Sequence, residues 1–202
     1  MMRDLTNRRQ FMGTIAAGAL AAATPLPLLA QSAGEAKQLV DRAVADINRT
    51  ISSGKSEAAM YKDFERIFAT YADVPTIARY ALGVEARSAS ASQLKEFTSA
   101  FQGYMARKYG SQFREFIGGR IEVNSARQVK SFIEVKTTAH LRGEAPFDVT
   151  FLVSDKSGKA RFFNLFIEGV NMLLAERTEI GAMLDKRRGN IDQMISDLKK
   201  AG

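Results

Sequence analysis

The hydrophobic pattern of this chain changes its period at Gly118-Gly119. Before this pair, apolar residues recur at every third or fourth position, which is the spacing of an amphipathic helix. After it, apolar and polar residues alternate, which is the spacing of a strand with one covered face. Because the two patterns occupy separate stretches, we predict an α+β fold, with helices packed on one face of a curved, roughly four-stranded antiparallel sheet.

Helices are predicted throughout the stretch before the glycine pair. Apolar stripes cover residues 39–51 and 60–71, and both indicate amphipathic helices. Asp73 with Pro75 fits the cap and first turn of a short helix that Gly83 ends.

A longer helix is predicted to follow. Ser90 and Gln93 match a capping box at its start, and apolar residues then repeat at helical spacing as far as Tyr109. Gly110 is predicted to break or kink this helix.

Strand patterns extend over residues 129–142, 147–154 and 162–168. Ile121 and Val123 indicate an earlier strand, and the first long pattern is interpreted as one half-solvated strand. Helices are predicted to follow from Asn171 and from Asn190, where an Asn precedes an apolar stretch.

The last strand is apolar on both faces. Phe163, Leu165 and Ile167 are predicted to share one face, while Phe162 and Phe166 put large rings on the other. A strand of this kind is normally covered on both sides.

The first thirty residues have the layout of an export signal. Arg3, Arg8 and Arg9 precede an uncharged run over residues 11–30, and the segment Asn7-Arg8-Arg9-Gln10-Phe11-Met12 resembles a twin-arginine signal. The ordinary export route and an uncleaved anchor remain alternatives. We expect cleavage after Ala30 or Ser32, which leaves a single domain over residues 31–202.

Candidates for catalysis are few. His140 is the sole histidine and the chain has no cysteine, so there is no thiol nucleophile and no disulfide framework. No phosphate-binding loop, zinc-binding helix or nucleophile elbow is present. The sequence therefore favours a binding protein, with no metal or cofactor predicted. An interaction or structural protein, and a small enzyme using His140, Asn164 and Glu168 in a pocket, remain alternatives.

Three motifs in register resemble the MlaC family of periplasmic phospholipid-binding proteins, also described as toluene-tolerance proteins or auxiliary components of ABC transporters. Residues 167–172, Ile-Glu-Gly-Val-Asn-Met, are similar to the family's Val-Glu-Gly-Val-Ser-Leu element. Residues 77–83, Ile-Ala-Arg-Tyr-Ala-Leu-Gly, are similar to its Met-Ala-Arg-Phe-Val-Leu-Gly element. The helix over residues 93–109 resembles the aromatic helix that comes next in the family.

The resemblance implies a lipid carrier in the periplasm that catalyses no reaction. Such a protein would hold phospholipid acyl chains in an apolar cavity between sheet and helices. Its expected partners are an inner-membrane ABC transporter complex with a membrane-anchored lipid-binding subunit and an outer-membrane lipoprotein complex. The implied role is to shuttle phospholipid between these membranes and to maintain the lipid asymmetry of the outer membrane.

Candidate lipid-binding residues come from the apolar faces of the predicted helices and strands. For any single one of them a place in a solid core is the better interpretation, and only the family resemblance favours a cavity. The candidates are Phe68, Phe97, Phe101, Met105, Phe113, Ile133, Val135, Phe147, Val149, Phe151, Leu165, Ile167, Val170 and Met172. Arg79 and Arg107 are candidates for contact with a lipid headgroup, with a solvated helix surface as the alternative role.

The chain is basic. The first thirty residues contribute +2 of the formal net charge of +7, which leaves +5 for residues 31–202. This charge fits attraction to anionic lipid headgroups or acidic protein surfaces, or simple solubility. Nucleic acid is not predicted as a partner, because the cations are dispersed and the leader indicates export.

Overall fold

A computed structural model describes residues 32–112 and 117–202. The export signal predicted for residues 1–30 and the candidate residue Phe113 lie outside the described residues.

The first helices form largely where the sequence predicts them. They are α1 (Ala33–Ile51), α2 (Glu57–Tyr71), α3 (Val74–Leu82), a 3₁₀ helix (Gly83–Arg87) and α4 (Ala91–Gln112). Ser32 and Glu35 close a capping box on α1 through hydrogen bonds of 3.1 and 3.0 Å. Ser90 and Gln93 make the predicted box at the start of α4, with the same two distances. These caps satisfy amide groups that have no partner within the helix.

Gly110 does not end α4, which continues to Gln112. The glycine instead allows the ring of Tyr61 on α2 to approach the helix. A Cβ atom on Gly110 would lie 2.6 Å from Cδ1 of that ring. The predicted break is therefore wrong, because the glycine serves helix packing rather than helix termination.

The second half of the described chain forms an antiparallel sheet whose strands lie in chain order. The strands are β1 (Arg120–Val129), β2 (Phe132–His140), β3 (Phe147–Ser154), β4 (Arg161–Ile167) and the short β5 (Val170–Asn171). Two helices follow, α5 (Met172–Lys186) and α6 (Ile191–Leu198). Asn171 and Asn190 cap them as predicted, accepting hydrogen bonds from the amides of Leu174 and Gln193 at 3.1 and 3.0 Å.

The strand predicted over residues 129–142 is divided by a hairpin. Val129 ends β1 and pairs with Phe132 at the start of β2. Lys130 adopts a left-handed conformation with φ of 53° in the turn between them. Within β2, the predicted inward residues Ile133, Val135 and Ala139 are buried, as expected for alternation over a covered face.

A bulge in β4 changes the predicted faces of the last long strand. Leu152 pairs with Asn164, whereas its neighbour Val153 pairs with Phe162, so Phe163 is an extra residue in the ladder. The bulge returns Phe162 to the same face as Leu165. Phe163 lies on the opposite face, where its ring makes an edge contact with Phe132 at 5.9 Å. The prediction that Phe163 and Leu165 share a face is therefore wrong.

The helices cover one face of the sheet. α1 packs across β1, β2 and β3, α2 packs on α4, and α3 lies between α4 and α5. One apolar cluster joins these elements, and a smaller cluster around Met60 and Phe64 connects α1 to α2. The predicted α+β architecture is confirmed, with the two-residue β5 as a fifth strand.

Candidate ligand cavity

A cavity of about 200 Å³ lies between the sheet and the covering helices. Its wall is formed by residues from α1, α2, α4, the three strands β1, β3 and β4, and the first residue of α5: Ala43, Ile47, Phe64, Ile67, Phe68, Met105, Ala106, Tyr109, Gly110, Ile121, Phe147, Val149, Phe151, Phe162, Leu165, Ile167 and Met172. Among these described residues, Tyr109 alone carries an oxygen or nitrogen atom in its side chain. Apolar cavities of roughly 150 Å³ already stay dry and bind small apolar molecules.

Aromatic rings form the part of the wall where α2 meets β3 and β4. The ring of Phe162 makes an edge contact with Phe151 at 5.5 Å and a tilted contact with Phe68 at 6.3 Å between centroids. These arrangements are favourable for aromatic pairs. The bulge at Phe163 is what turns Phe162 into this cluster, so an irregularity of the sheet helps to shape the cavity.

A polar cluster borders the cavity at Tyr109. The Tyr109 hydroxyl donates a hydrogen bond to Oε1 of Glu176 on α5, and Nζ of Lys108 lies 2.8 Å from the same oxygen. Lys108 also contacts Glu179. Glu176 is almost fully buried, so these contacts supply the pairing that a carboxylate away from water requires.

The titration behaviour of this cluster follows from burial and pairing. Burial raises the pKa of Tyr109, and the hydrogen bond to Glu176 raises it further. Burial lowers the pKa of Lys108, but the hydrogen bonds to Glu176 and Glu179 outweigh burial and hold it above its usual value. Tyr109 therefore presents a neutral ring to the cavity at physiological pH, while Lys108 remains charged.

Asn164 fixes the corner where β4, β5 and α5 meet. Its side-chain Oδ1 accepts hydrogen bonds from the amides of Leu165 at 2.8 Å and Leu173 at 3.1 Å. Its Nδ2 donates to Oδ1 of Asn171 at 2.9 Å. Because Met172 lies between two of these partners, the buried amide holds that part of the cavity wall in place.

The structure brings eight of the fourteen predicted lipid-binding residues together around the cavity. They are Phe68, Met105, Phe147, Val149, Phe151, Leu165, Ile167 and Met172. Their role in lipid binding stays a prediction, but their common position satisfies its geometric requirement.

Five other candidates lie elsewhere. Phe97, Phe101, Ile133 and Val135 are buried in the packed core and do not line the cavity. Val170 is 57% exposed at the β4–β5 corner. The periodicity of a helix or strand identifies its inward face, but neighbouring inward residues divide between a solid core and a cavity wall, and the sequence carries no signal for that division.

Several wall residues are absent from the sequence-based candidates. They are Ala43, Ile47, Phe64, Ile67, Ala106, Tyr109, Gly110, Ile121 and Phe162. The apolar stripes of α1 and α2 already place Ala43, Ile47, Phe64 and Ile67 on inward faces, so these could have been found. Small residues such as Ala106 and Gly110 could not be recognised as wall residues from the sequence. They contribute to a cavity by leaving space free, and this depends on the elements around them.

The two candidate headgroup residues occupy different environments. Arg79 is exposed on α3. Arg107 donates from Nε to the carbonyl of Ala201 at 2.9 Å and from Nη2 to the carbonyl of Leu198 at 2.8 Å. These bonds satisfy carbonyl groups at and beyond the end of α6, which gives Arg107 a structural role at the C-terminus.

Other types of site would need a reactive histidine, a cluster of metal ligands or a membrane-spanning helix in the described part of the chain. Within it, His140 lies 3.2 Å from Glu122 on the neighbouring strand β1, away from the cavity wall. Residues 32–112 and 117–202 contain no group of three or more His, Cys, Asp or Glu side chains that could hold a metal ion. The helices of these residues all lack the length or the apolar character of a membrane span.

The fold and the cavity define a small α+β protein with an apolar compartment between its sheet and its helices. The family model described as "MlaC protein" matches residues 37–200, and the chain belongs to the MlaC family.

A solved structure supports the same fold. It is that of the phospholipid-binding protein from Ralstonia solanacearum in complex with a phospholipid. The two chains share 18% sequence identity, the alignment covers 81% of this chain and 98% of the other, and the TM-score is 0.68. No curated protein matches the chain.

Proposed function

We propose that this chain is a periplasmic phospholipid-binding protein that holds lipid acyl chains in the cavity between sheet and helices. The observation that carries the proposal is the cavity wall, where seventeen residues present apolar surface and a single hydroxyl group. Membership of the MlaC family supports the same conclusion. The similar fold of a protein that is named for phospholipid binding adds to it.

The energetics of acyl chains indicate how such a carrier would work. A diacyl lipid has on the order of 30 methylene groups, and at about 0.8 kcal/mol each their transfer from water contributes roughly 24 kcal/mol. Release into water is therefore negligible. Moving the acyl chains from a bilayer to an apolar cavity hardly changes this hydrophobic free energy, because both environments are apolar. The direction of transport therefore depends on the partners at each membrane.

The proposed role includes transport between two membranes. The partners would be an inner-membrane ABC transporter complex with its membrane-anchored lipid-binding subunit and an outer-membrane lipoprotein complex. The export signal predicted for residues 1–30 supports a location in the periplasm. In this role the protein exchanges lipid, contributes to outer-membrane lipid asymmetry and catalyses no reaction.

We favour a carrier over a pocket enzyme because of where the polar side chains lie. Asn164 uses its amide group to bond the β4–β5 corner, and His140 lies beside Glu122 on the sheet. Neither residue lines the cavity. An acid–base group must reach the reacting atom of its substrate, and the described wall offers only the Tyr109 hydroxyl.

Native mass spectrometry of the protein purified from the periplasm without detergent tests this proposal. We expect stoichiometric phospholipid, identified by denaturing extraction of the same sample. A lipid-free protein that remains empty after incubation with phospholipid vesicles would contradict the proposal.

A cavity-filling variant links the lipid to this site. Ala106 lines the cavity, so Ala106→Phe would place a ring in the space that the acyl chains need. We expect the bound lipid to fall severalfold in the folded variant, at a cost of about 1–3 kcal/mol in stability from overpacking. Ala182→Phe on the exposed face of α5 is the control. Equal lipid content in both variants would place the lipid elsewhere.

A further inference from the structure

Four large apolar side chains form one exposed surface next to the cavity. Tyr80, Val84, Val170 and Leu174 are between 41% and 60% exposed, and we call this set the α3–α5 strip. They are four of the five large apolar residues that are exposed in the described part of the chain. Such a concentration on one surface marks a docking site more often than scattered exposure does.

Arg177 makes the strip continuous. Its guanidinium carbon lies 5.0 Å from the ring centroid of Tyr80. Its Nε lies 3.7 Å from the position of a Cβ atom on Gly83, the residue before Val84. Leu174 precedes Arg177 by three positions on α5, so the two side chains are neighbours on the helix surface.

The aliphatic end of the strip is held in a fixed position. Glu168 and Gly169 have φ values of 49° and 81°, as in a tight two-residue hairpin turn, and Ile167 pairs with Val170 across it. Asn171 accepts a hydrogen bond from the amide of Leu174 at 3.1 Å. Docking therefore requires little ordering of this corner, which reduces its entropic cost.

The same end of the strip borders the cavity. Ile167, the strand partner of Val170, lines the cavity, and so does Met172, which stands between Val170 and Leu174 in the chain. Apolar surface thus continues from the interior wall to exposed side chains within one turn of backbone. An acyl chain leaving a bilayer at this corner would avoid exposure to water.

The charge around the strip is weakly positive. The charged residues in and next to it are three arginines and two glutamates, so their net charge is +1. They are Arg79, Arg87, Arg177, Glu85 and Glu168. Arginine and tyrosine beside aliphatic anchors are typical of surfaces that lie at a membrane interface. The net charge of +5 over residues 31–202 adds a longer-range attraction to anionic lipid.

We propose that the α3–α5 strip docks the protein on the surface of an anionic phospholipid bilayer and places the cavity corner at Val170 against the lipid. This inference rests on the proposed function, since it supplies the surface at which lipid is exchanged. Val170 and Leu174 enter the interfacial region, and Arg177 contacts the headgroups.

A fluorescent reporter tests the docking directly. The chain contains no tryptophan, so Leu174→Trp introduces a single indole within the strip. We expect a blue shift of its emission on addition of vesicles that contain phosphatidylglycerol, and a smaller shift with phosphatidylcholine alone. Ile117→Trp is the matched control: Ile117 is 52% exposed, against 51% for Leu174. It lies beside β1, across the sheet from β5 by roughly four strand spacings, or about 19 Å.

Vesicle flotation with charge-substituted variants provides a second measurement. We expect Leu174→Glu and Val170→Glu to lower the partition onto phosphatidylglycerol vesicles by about tenfold, because an apolar contact is replaced by a charge that repels the lipid. Ile117→Glu adds the same charge away from the strip and should stay within about twofold of the unaltered protein. Circular dichroism confirms that each variant is folded.

Two results would overturn the inference. One is the absence of vesicle flotation by the unaltered protein together with the absence of an emission shift in Leu174→Trp, which would leave the strip as a surface for a protein partner. The other is equal flotation of Leu174→Glu and Ile117→Glu. Lipid extraction from the same samples separates the two proposals, because a protein that carries lipid without binding vesicles keeps the proposed function and loses only the docking surface.

Discussion

Nζ of Lys108 on α4 lies 2.8 Å from Oε1 of Glu176 on α5, and the side chain of Glu176 is only 1% exposed. Tyr109 donates to the same oxygen from the next position on α4. This pairing ties two helices together beside the cavity and keeps the ring of Tyr109 in its wall.

Lys108→Met should destabilise the protein by about 3 kcal/mol, because it leaves the buried carboxylate of Glu176 without its cation. Urea denaturation measures this change. Lys199→Met is the matched control, since it breaks the pair with Glu96 in which both side chains are 52% exposed, and it should cost less than about 1 kcal/mol. The double variant Lys108→Met/Glu176→Gln should recover part of the lost stability, because it also removes the unpaired carboxylate. Equal effects of the two single variants would contradict the assigned role.

Tyr71→Phe should raise the pKa of Asp46 towards its usual value. The Tyr71 hydroxyl donates to Oδ2 of Asp46 at 2.7 Å and is the main cause of the lowered pKa of that carboxyl group, with Arg49 assisting. A lowered pKa contributes stability above the unfolded pKa of about 3.9, and this contribution is lost as the pH falls through the folded value. NMR titration of the carboxyl group measures the shift.

The stability of the same variant should depend on pH in a matching way. At pH 7, Tyr71→Phe should lower the free energy of unfolding by about 1–3 kcal/mol, and the difference should shrink in acid as Asp46 becomes protonated. A difference that is unchanged between neutral and acidic pH would show that the hydroxyl does not act through Asp46.

Gly110→Ala should destabilise the protein by about 1–3 kcal/mol, because the added Cβ would lie 2.6 and 2.9 Å from two ring atoms of Tyr61. Gly181→Ala is the control within α5. Apart from its chain neighbours and the backbone of its own helix, no atom lies within 4 Å of its added Cβ, so it should stabilise the protein by about 0.5–1 kcal/mol. Thermal unfolding of both variants tests the contrast, and changes of the same sign would argue against the close approach of Tyr61.

Arg107→Met distinguishes a structural role from a headgroup role. Loss of the bonds to Leu198 and Ala201 should cost about 1–3 kcal/mol while the lipid bound per folded molecule stays constant. Arg79→Met, on the exposed face of α3, should change stability by less than about 0.5 kcal/mol. If Arg107→Met instead lost lipid at unchanged stability, a headgroup contact would be the better explanation.

The sequence predicted those parts of the fold that depend on local chemistry. Ser90 with Gln93, Asn171 and Asn190 lie at helix starts because each supplies a side-chain acceptor for free amides. The change of period at Gly118-Gly119 separated helices from strands, because side chains on a helix and on a strand face a covering layer at different intervals.

Features that depend on tertiary pairing were not predictable in the same way. The turn at Lys130 requires a left-handed backbone at a residue that rarely adopts one, and the bulge at Phe163 appears only in the pairing of β4 with β3. Phe97 and Phe68 illustrate the limit for the site. Both are inward-facing aromatic residues, but one packs in the core and the other faces a cavity whose volume is set by several elements together.

The edge of the sheet formed by β1 is protected against pairing with another molecule. Among the described strands β1 pairs on one side only, with β2, and at ten residues it is the longest. A register shift between Val123 and Ser125 distorts it, and the exposed side chains of Arg120 and Arg127 place charge along it. These features oppose edge-to-edge pairing with a second copy. We therefore expect this protein to resist aggregation through its sheet even at high concentration.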